Sequence, residues 1–248
     1  MMIRRAVIQA GGEGTRLRPV TLEIPKPLVP VRGQAIATWQ VRWFARYGVQ
    51  EILVIIPPKW IKAFEKWKRD LMEEASAAQE TLPSIELWVE PEPMGTMGAF
   101  VHRLQDWLGG EPLFITNADE LKSFNLTDLC AAYEAQKGKN AQLGMTMALR
   151  EVPNPHQYGV ATLENELIVQ FEEKPAEPKS NVINTGLYAA DPMIFREIEN
   201  AKTFLMVERD LFPWLVDQRR LGGCVLEGQW FDCGTLERWE TAINEWKG

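Results

Sequence analysis

Three stretches of this sequence carry residue types that could act together on a phosphate. The first is Ala10-Gly11-Gly12-Glu13-Gly14-Thr15-Arg16-Leu17-Arg18-Pro19, followed by Pro25-Lys26-Pro27. Glycines after an apolar run let several backbone N–H groups close on one anion. Arg16 and Lys26 add two fixed cations, so the segment reads as a phosphate cradle; the plain alternative is a tight turn with solvated arginines. The second is Asp119, after Leu113-Phe114-Ile115-Thr116-Asn117, and the third is Asp232 in Gln229-Trp230-Phe231-Asp232-Cys233-Gly234-Thr235. One Mg2+ held by two carboxylates plus substrate phosphate oxygens is the usual arrangement for this ion. Taken singly, Asp119 also reads as a helix N-cap and Asp232 as a turn residue before Gly234.

Two familiar glycine motifs are excluded by spacing. A Walker loop needs a glycine, four residues, then Gly-Lys-Ser/Thr; Arg16 or Leu17 stands where the second glycine belongs. A dinucleotide fingerprint needs a third glycine, and Gly12-Glu13-Gly14-Thr15-Arg16-Leu17 ends in leucine. A nicotinamide oxidoreductase is correspondingly disfavoured.

The elements that must position these residues alternate through the first half. Strands are expected at 6–9, 51–56, 85–89 and 112–117, and helices at 36–47, 60–72 and 96–108. Residues 36, 39, 43 and 47 are apolar at helical spacing and Gly48 stops the run. Strands alternating with helices imply βαβ units and a mostly parallel sheet, whose ligands bind at the carboxyl ends of strands. The second half is less regular, with strands at 142–149, 159–164, 167–172 and 183–189 and helices at 191–199 and 207–215. The expected fold class is α/β, Rossmann-like, with helices flanking the sheet.

Composition narrows the partners. The formal net charge of −7 argues against general nucleic-acid binding, and an acidic protein that handles phosphates needs local cations. Cys130, Cys224 and Cys233 form no Cys-x-x-Cys pattern and read as reduced thiols of a cytoplasmic protein. Two histidines, His102 and His156, leave too few soft ligands for zinc. No signal segment or long apolar run is seen, so secretion and membrane association are not expected.

The motifs resemble those of the sugar-1-phosphate nucleotidyltransferases: a strand, Gly-Gly-x-Gly-Thr-Arg-Leu-x-Pro, then Pro-Lys-Pro. The likeness continues down the chain. Glu90-Pro91-Glu92-Pro93-Met94-Gly95-Thr96 resembles the base-recognition loop, Glu172-Glu173-Lys174-Pro175 the Glu-Lys-Pro motif, Asn184-Thr185-Gly186 the Asn-x-Gly sugar contact, and Trp230-Phe231-Asp232-Cys233-Gly234-Thr235 the metal-binding Trp-x-Asp-x-Gly-Thr.

This resemblance implies a GT-A-like fold in one domain over 1–248, nucleotide-binding to about residue 125 and sugar-binding from about residue 126. Relatives with an appended β-helix carry hexapeptide repeats, and none is expected here. It implies transfer of a nucleotidyl group from a nucleoside triphosphate to a sugar-1-phosphate with Mg2+. Ala10, Gly11, Gly12, Gly14, Thr15, Asn117, Glu90, Gly95 and Thr96 would then bind the nucleotide. Arg16 would hold the departing pyrophosphate, Lys26 the α-phosphate, and Asp119 and Asp232 the metal. Gly159, Glu173, Lys174, Asn184, Gly186 and Trp230 would bind the sugar phosphate. The glutamates of the base loop equally fit an acidic surface loop, and Glu172-Glu173-Lys174 a solvated charge run. Trp230 equally fits a core position.

A carboxylate can accept two hydrogen bonds from guanine, which favours GTP, with mannose-1-phosphate or a related sugar phosphate as acceptor. UTP or dTTP with glucose-1-phosphate is the alternative, and a catalytically silent nucleotide-sugar-binding regulatory homologue is another. Ala118 stands where the family usually has glycine; it would crowd a ribose contact or forbid a positive φ. Gln9 and Met97 are milder departures. Homo-oligomerisation stays open.

Overall fold

The computed structural model describes residues 2–198 and 202–248. Its strands run β1 (Arg5–Gln9), β2 (Glu51–Ile56), β3 (Ser84–Val89), β4 (Leu113–Asn117), β5 (Glu120–Lys122) and β6 (Met145–Glu151). They continue as β7 (Gly159–Glu164), β8 (Leu167–Glu173), β9 (Val182–Ala190), β10 (Leu221–Val225) and β11 (Trp230–Asp232). The longer helices are α1 (Ile36–Arg46), α2 (Ile61–Ala77), α3 (Leu126–Lys139) and α4 (Leu236–Glu245).

The chain divides into two compact units that do not follow its order. The first comprises Arg4–Pro93, Thr116–Phe124 and Gly228–Gly248. The second comprises mainly Met94–Ile115 and Asn125–Glu227.

In the first unit β1, β2 and β3 are parallel, with Arg5 opposite Glu51 and Glu51 opposite Ser84. Strand β2, Glu-Ile-Leu-Val-Ile-Ile, is buried from Ile52 to Ile56. Such unbroken β-branched runs belong inside parallel sheets covered on both faces. Helix α1 buries Ile36, Ala37, Val41, Trp43 and Phe44 on one side. It ends in a Schellman turn: Gly48 takes φ +76°, and the N–H of Val49 donates back to the Phe44 carbonyl at 3.2 Å.

Strands β5 and β11 form a separate antiparallel ladder pairing Glu120 with Asp232, Leu121 with Phe231 and Lys122 with Trp230. Helix α4, capped by the Thr235 hydroxyl, follows β11. It closes an apolar cluster of Val31, Ile36, Leu121, Cys233, Ala242 and Trp246.

The second unit corrects the expectation of a mostly parallel sheet. Its strands lie in the order β4-β9-β6-β10-β8-β7. Only β6 and β10 are parallel among the pairings with recorded register; β6–β9, β8–β10 and β7–β8 are antiparallel. The sheet is therefore mixed: β7 and β8 form a hairpin, while β9 and β10 are separated by helical segments and each pairs with β6, β9 antiparallel and β10 parallel.

Other boundaries shifted for local reasons. The helix expected over 96–108 is two short ones, Gly98–His102 and Gln105–Leu108. The one expected over 207–215 begins as a π-turn at Val207–Leu211 before Phe212–Asp217. The one expected over 191–199 is Ile194–Glu197, and Glu199 lies outside the described residues.

Trp246 is the largest side chain of the apolar cluster, 1% exposed, meeting Trp39 and Phe231 edge-on at 5.9 Å and 6.2 Å. Truncating a buried aromatic costs about 3–5 kcal/mol. Trp246→Ala is expected to lower the free energy of unfolding by an amount of that order, read from urea equilibrium unfolding followed by far-UV circular dichroism.

Candidate active site

Strand β1 delivers the glycine loop, and the Ala10 N–H is still tied to the Ile55 carbonyl at 2.9 Å. Gly14 is left-handed, φ +63°, and its carbonyl accepts from the Thr21 hydroxyl at 2.7 Å. A Cβ there would stand 2.9 Å from Thr21 Cγ2 and 3.2 Å from Lys26 Cβ, so both conformation and space require glycine. Leu17 is buried and pins the turn Thr15–Leu17, leaving Gly12, Thr15 and Arg16 exposed. Gly11 lies against Glu90, whose Oε2 would be 3.2 Å from a Cβ at that position. The loop and one expected base-reading carboxylate are thus neighbours. Lys26 is buried at 7% exposure, in a turn stiffened by Pro25 and Pro27.

Asp119 occupies the reversal between β4 and β5. Helix α3 instead takes Asn125 as its cap, with Oδ1 accepting from Thr127 N at 3.0 Å, so Asp119 is no N-cap. Helix α1 fixes the reversal. Gln40 Nε2 donates to the Asn117 and Glu120 carbonyls at 2.7 and 2.8 Å, and Trp43 Nε1 to the Phe124 carbonyl at 3.0 Å. The β5–β11 ladder then brings in Asp232 opposite Glu120, and the Cys233 N–H donates to the Asp119 carbonyl at 3.0 Å.

Every carboxylate here has a cation. Asp119 Oδ2 pairs with Lys26 Nζ, Asp232 Oδ2 with Arg238 Nη1, and Glu120 Oε2 with the fully buried Lys122 at 2.6 Å. Lys122 also donates to the Thr116 hydroxyl at 3.1 Å. Burial works against the Asp119 carboxylate, but Lys26 outweighs it and holds the group below the usual range. Burial dominates at Glu120 and, with Asp119 and Asp232 adding repulsion against the pull of Lys122, pushes its carboxyl up to about 7. Burial also raises the Cys233 thiol, to about 12, with Asp119 and Asp232 adding to the shift, so this cysteine is no nucleophile at neutral pH.

The expected sites fall into two sets. The first unit holds Ala10, Gly11, Gly12, Gly14, Thr15, Arg16, Lys26, Glu90, Asn117, Asp119, Trp230 and Asp232. Trp230, expected at the sugar, lies in the same unit as the glycine loop, on the ladder two residues before Asp232. Ala118 is not among the described residues with left-handed backbone, so the alanine meets no conformational penalty.

The second unit holds Gly95, Thr96, Gly159, Glu173, Lys174, Asn184 and Gly186. Gly95, φ +74°, leaves no room for a Cβ, which would fall 2.3 Å from the Leu205 carbonyl oxygen. The Thr96 hydroxyl donates to Glu208 Oε2 at 3.3 Å and accepts from Val207 N at 2.9 Å. A Cβ on Gly159 would strike Phe171 Cζ at 2.4 Å and stand 3.0 Å from Glu173 Oε2. Phe171 meets Phe212, which meets Tyr188, whose hydroxyl accepts from Asn184 at 2.8 Å. That aromatic row gathers Gly159, Glu173 and Asn184 at one place. Asn184 Oδ1 accepts from Gly186 N at 2.9 Å, and Gly186 at φ +62° breaks the β9–β6 register there. Lys174 adopts φ +50°, rare for a non-glycine residue, and its ammonium pairs with Glu173 at 2.8 Å.

Asp119 and Asp232 offer hard oxygens on one ladder, a donor set that suits Mg2+. Among the described residues no three His, Cys, Asp or Glu side chains converge as a ready metal cage, so phosphate or water oxygens would complete the sphere. Sequence reasoning missed Lys122 and Arg238. Lys122 carries no local signal. Arg238 does: it is the third residue of α4, where the helix dipole disfavours a cation.

The raised Glu120 gives a pH dependence with a definite sign. The folded state keeps this proton to about 7 against an ordinary value of 4.5, so its contribution to stability falls as pH rises between those values. Glu120→Gln removes that titration. The melting temperature of the wild type is expected to fall relative to that of Glu120→Gln from pH 4.5 to 7, measured by scanning fluorimetry in matched buffers.

The fold has solved counterparts. A putative glucose-1-phosphate thymidylyltransferase from Bacillus anthracis, solved in complex with a sucrose, superposes with TM-score 0.79 at 25% identity, covering 97% of this chain and 94% of that one. A UDP-glucose pyrophosphorylase complexed with UDP-glucose shares the fold at TM-score 0.78 and 21% identity, with 98% of each chain covered. In sequence, the chain is 33% identical over 238 residues to a mannose-1-phosphate guanyltransferase of Schizosaccharomyces pombe. It is 32% identical over 235 residues to a mannose-1-phosphate guanylyltransferase catalytic subunit beta of Dictyostelium discoideum. Each alignment covers 93% of this chain and 61% of the relative, so the chain spans about three-fifths of the length of these relatives. Residues 5–247 match the family model described as nucleotidyl transferase, which takes in the glycine loop, Lys26 and both aspartates: the chain belongs to the nucleotidyl transferase family.

Proposed function

We propose that this protein is a sugar-1-phosphate nucleotidyltransferase of GT-A-like fold that joins GTP to mannose-1-phosphate or a related sugar phosphate. The observation that carries the reading is the ladder that pairs Asp232 with Glu120, the residue after Asp119, while buried Lys26 pairs with Asp119. The named relatives support GTP and mannose-1-phosphate, and so does Glu90 against Gly11, a carboxylate able to accept two donors from a guanine edge. UTP or dTTP with glucose-1-phosphate is the second reading, favoured by the likeness to the thymidylyltransferase.

The chemistry follows from the groups present. A sugar phosphate oxygen attacks the α-phosphorus in line, the bond to the β-phosphate oxygen breaks, and pyrophosphate leaves. The attacking monoester needs no general base at neutral pH, consistent with His102 Nε2 sitting 2.8 Å from the Lys202 carbonyl and Cys233 being buried. The rate then rests on orientation and charge. Lys26 would leave Asp119 for the α-phosphate as negative charge grows there. Arg16, exposed on the loop, would take the departing pyrophosphate, and the N–H groups of Gly11 to Thr15 would hold the β- and γ-phosphates. Glu173 would accept from sugar hydroxyls and Lys174 would hold the sugar phosphate. Mg2+ on Asp119 and Asp232 would supply further charge neutralisation at the phosphates. The three free cysteines support a reducing, cytoplasmic setting.

Lys26→Ala is expected to lower kcat by about a hundredfold or more, the size of one lost transition-state charge contact, with the far-UV spectrum unchanged. A matrix of nucleoside triphosphates against hexose-1-phosphates, read by pyrophosphate release with Mg2+, tests the function itself. Turnover greatest with GTP and mannose-1-phosphate is expected. Greatest turnover with UTP or dTTP and glucose-1-phosphate selects the second reading, and none with any pair selects the silent regulatory homologue.

A further inference from the structure

Around the β5–β11 ladder three carboxylates, Asp119, Glu120 and Asp232, face three cations, Lys26, Lys122 and Arg238. Two of those cations are already accounted for. Lys26 belongs to the phosphate loop, and Lys122 is sealed under Glu120. Arg238 has no such reason to be where it is. It is the third residue of α4, where the positive end of the helix repels it.

The local structure nevertheless aims it with care. The Thr235 hydroxyl caps its N–H at 3.3 Å. The next residue, Trp239, donates through Nε1 to the Pro30 carbonyl at 2.9 Å, and Ala242 in the helix and Trp246 at its end sit in the apolar cluster. From its other side Asp232 is turned toward the start of α4 by Gly234. A Cβ at Gly234 would stand 2.6 Å from Asp232 Oδ1, so only glycine lets the carboxylate fold over that residue. The pair is mostly shielded from water, with side chains 23% and 13% exposed. A guanidinium does not lose its proton, so Arg238 can release Asp232 only by moving away.

A divalent cation approaching this balanced cluster adds two positive charges and seeks the oxygens that the guanidinium holds. We infer that Arg238 is a positioning residue that competes with a divalent cation for Asp232, so that the carboxylate's partner is exchanged when the cation arrives. This rests on the reading of Asp232 as a metal ligand made above. It adds a residue that the glycine loop and the aspartates do not account for. A triphosphate arriving with the cation carries the negative charge that restores the balance, which couples entry of the two.

The test is a titration of the purified full chain with Mn2+ alone, following the free-ion signal by electron paramagnetic resonance. Arg238→Met is expected to tighten Mn2+ binding about tenfold, the scale of a partly shielded charge pair. Arg238→Gln should do the same, should Arg238→Met fail to fold. Arg238→Lys, which keeps the charge, should stay near the wild-type value. Adding Asp232→Asn to Arg238→Met should abolish the gain. Affinity unchanged within twofold in both neutral variants, or a gain that survives Asp232→Asn, overturns the inference. The titration needs no turnover. A wild type that transfers no nucleotide yet shows the Arg238-dependent shift sinks the proposed function and leaves this inference standing; transfer without the shift does the reverse.

Discussion

The site hangs on one side-chain amide. Gln40 lies within the buried face of α1, 2% exposed among apolar neighbours, and its Nε2 donates to the carbonyls on both sides of the Asp119 reversal. A buried amide that loses its acceptors costs about 1–3 kcal/mol, and so would two carbonyls that lose their donor. The chain from Asn117 to Glu120 is thereby held in one shape. Strand β5 begins from that shape, β11 pairs with β5, and α4 follows β11. Rigid helix and strand ends hold a reacting group better than a loop can. Here the rigidity is borrowed through a single glutamine.

Charge is the second constraint. A chain of net charge −7 meets polyphosphate ligands only if the repulsion is cancelled where they land. Arg16 stands in solvent on the glycine loop and Lys26 is buried beside Gly14. The ladder gives each carboxylate a cation, at the cost of burying Lys26, Glu120 and Lys122 and half-burying Asp119, Asp232 and Arg238. One half-buried pair alone adds little to stability. The network's worth is instead in orientation, because each pair fixes a side chain that would otherwise turn toward water.

Much of this was legible in the residues. The glycine loop with Lys26, β2 and α1 follow from spacing and periodicity that tertiary packing does not override, and the two aspartates came from the resemblance to the family. Strand β10 was not legible: Leu-Gly-Gly-Cys-Val is a poor strand former. It is extended because neighbours need its glycines small, with Gln136 Oε1 filling the space of a Cβ at Gly222, 1.9 Å away. Helix α3 also escaped, since it buries Leu126, Leu129, Tyr133 and a polar Gln136 rather than one clean apolar stripe. The break at Arg103-Leu104 in the helix expected over 96–108 has no advance signal in composition. The ion pairs were invisible for a plainer reason. Lys26 meets Asp119, and β5 meets β11, only through long-range folding. The interleaving of the two units, each gathering distant stretches of chain, has the same cause.

The β5–β11 ladder has a consequence for how the protein is made. Its second strand comes long after the glycine loop in sequence, so a nascent polypeptide shows that loop, and Lys26, well before Asp232 exists to join them. During that interval Arg16 and Lys26 are present without Asp119 and Asp232. The pairing of Asp232 with Glu120 forms only once β11 has joined β5, and α4, which follows β11, adds Ala242 to the apolar cluster.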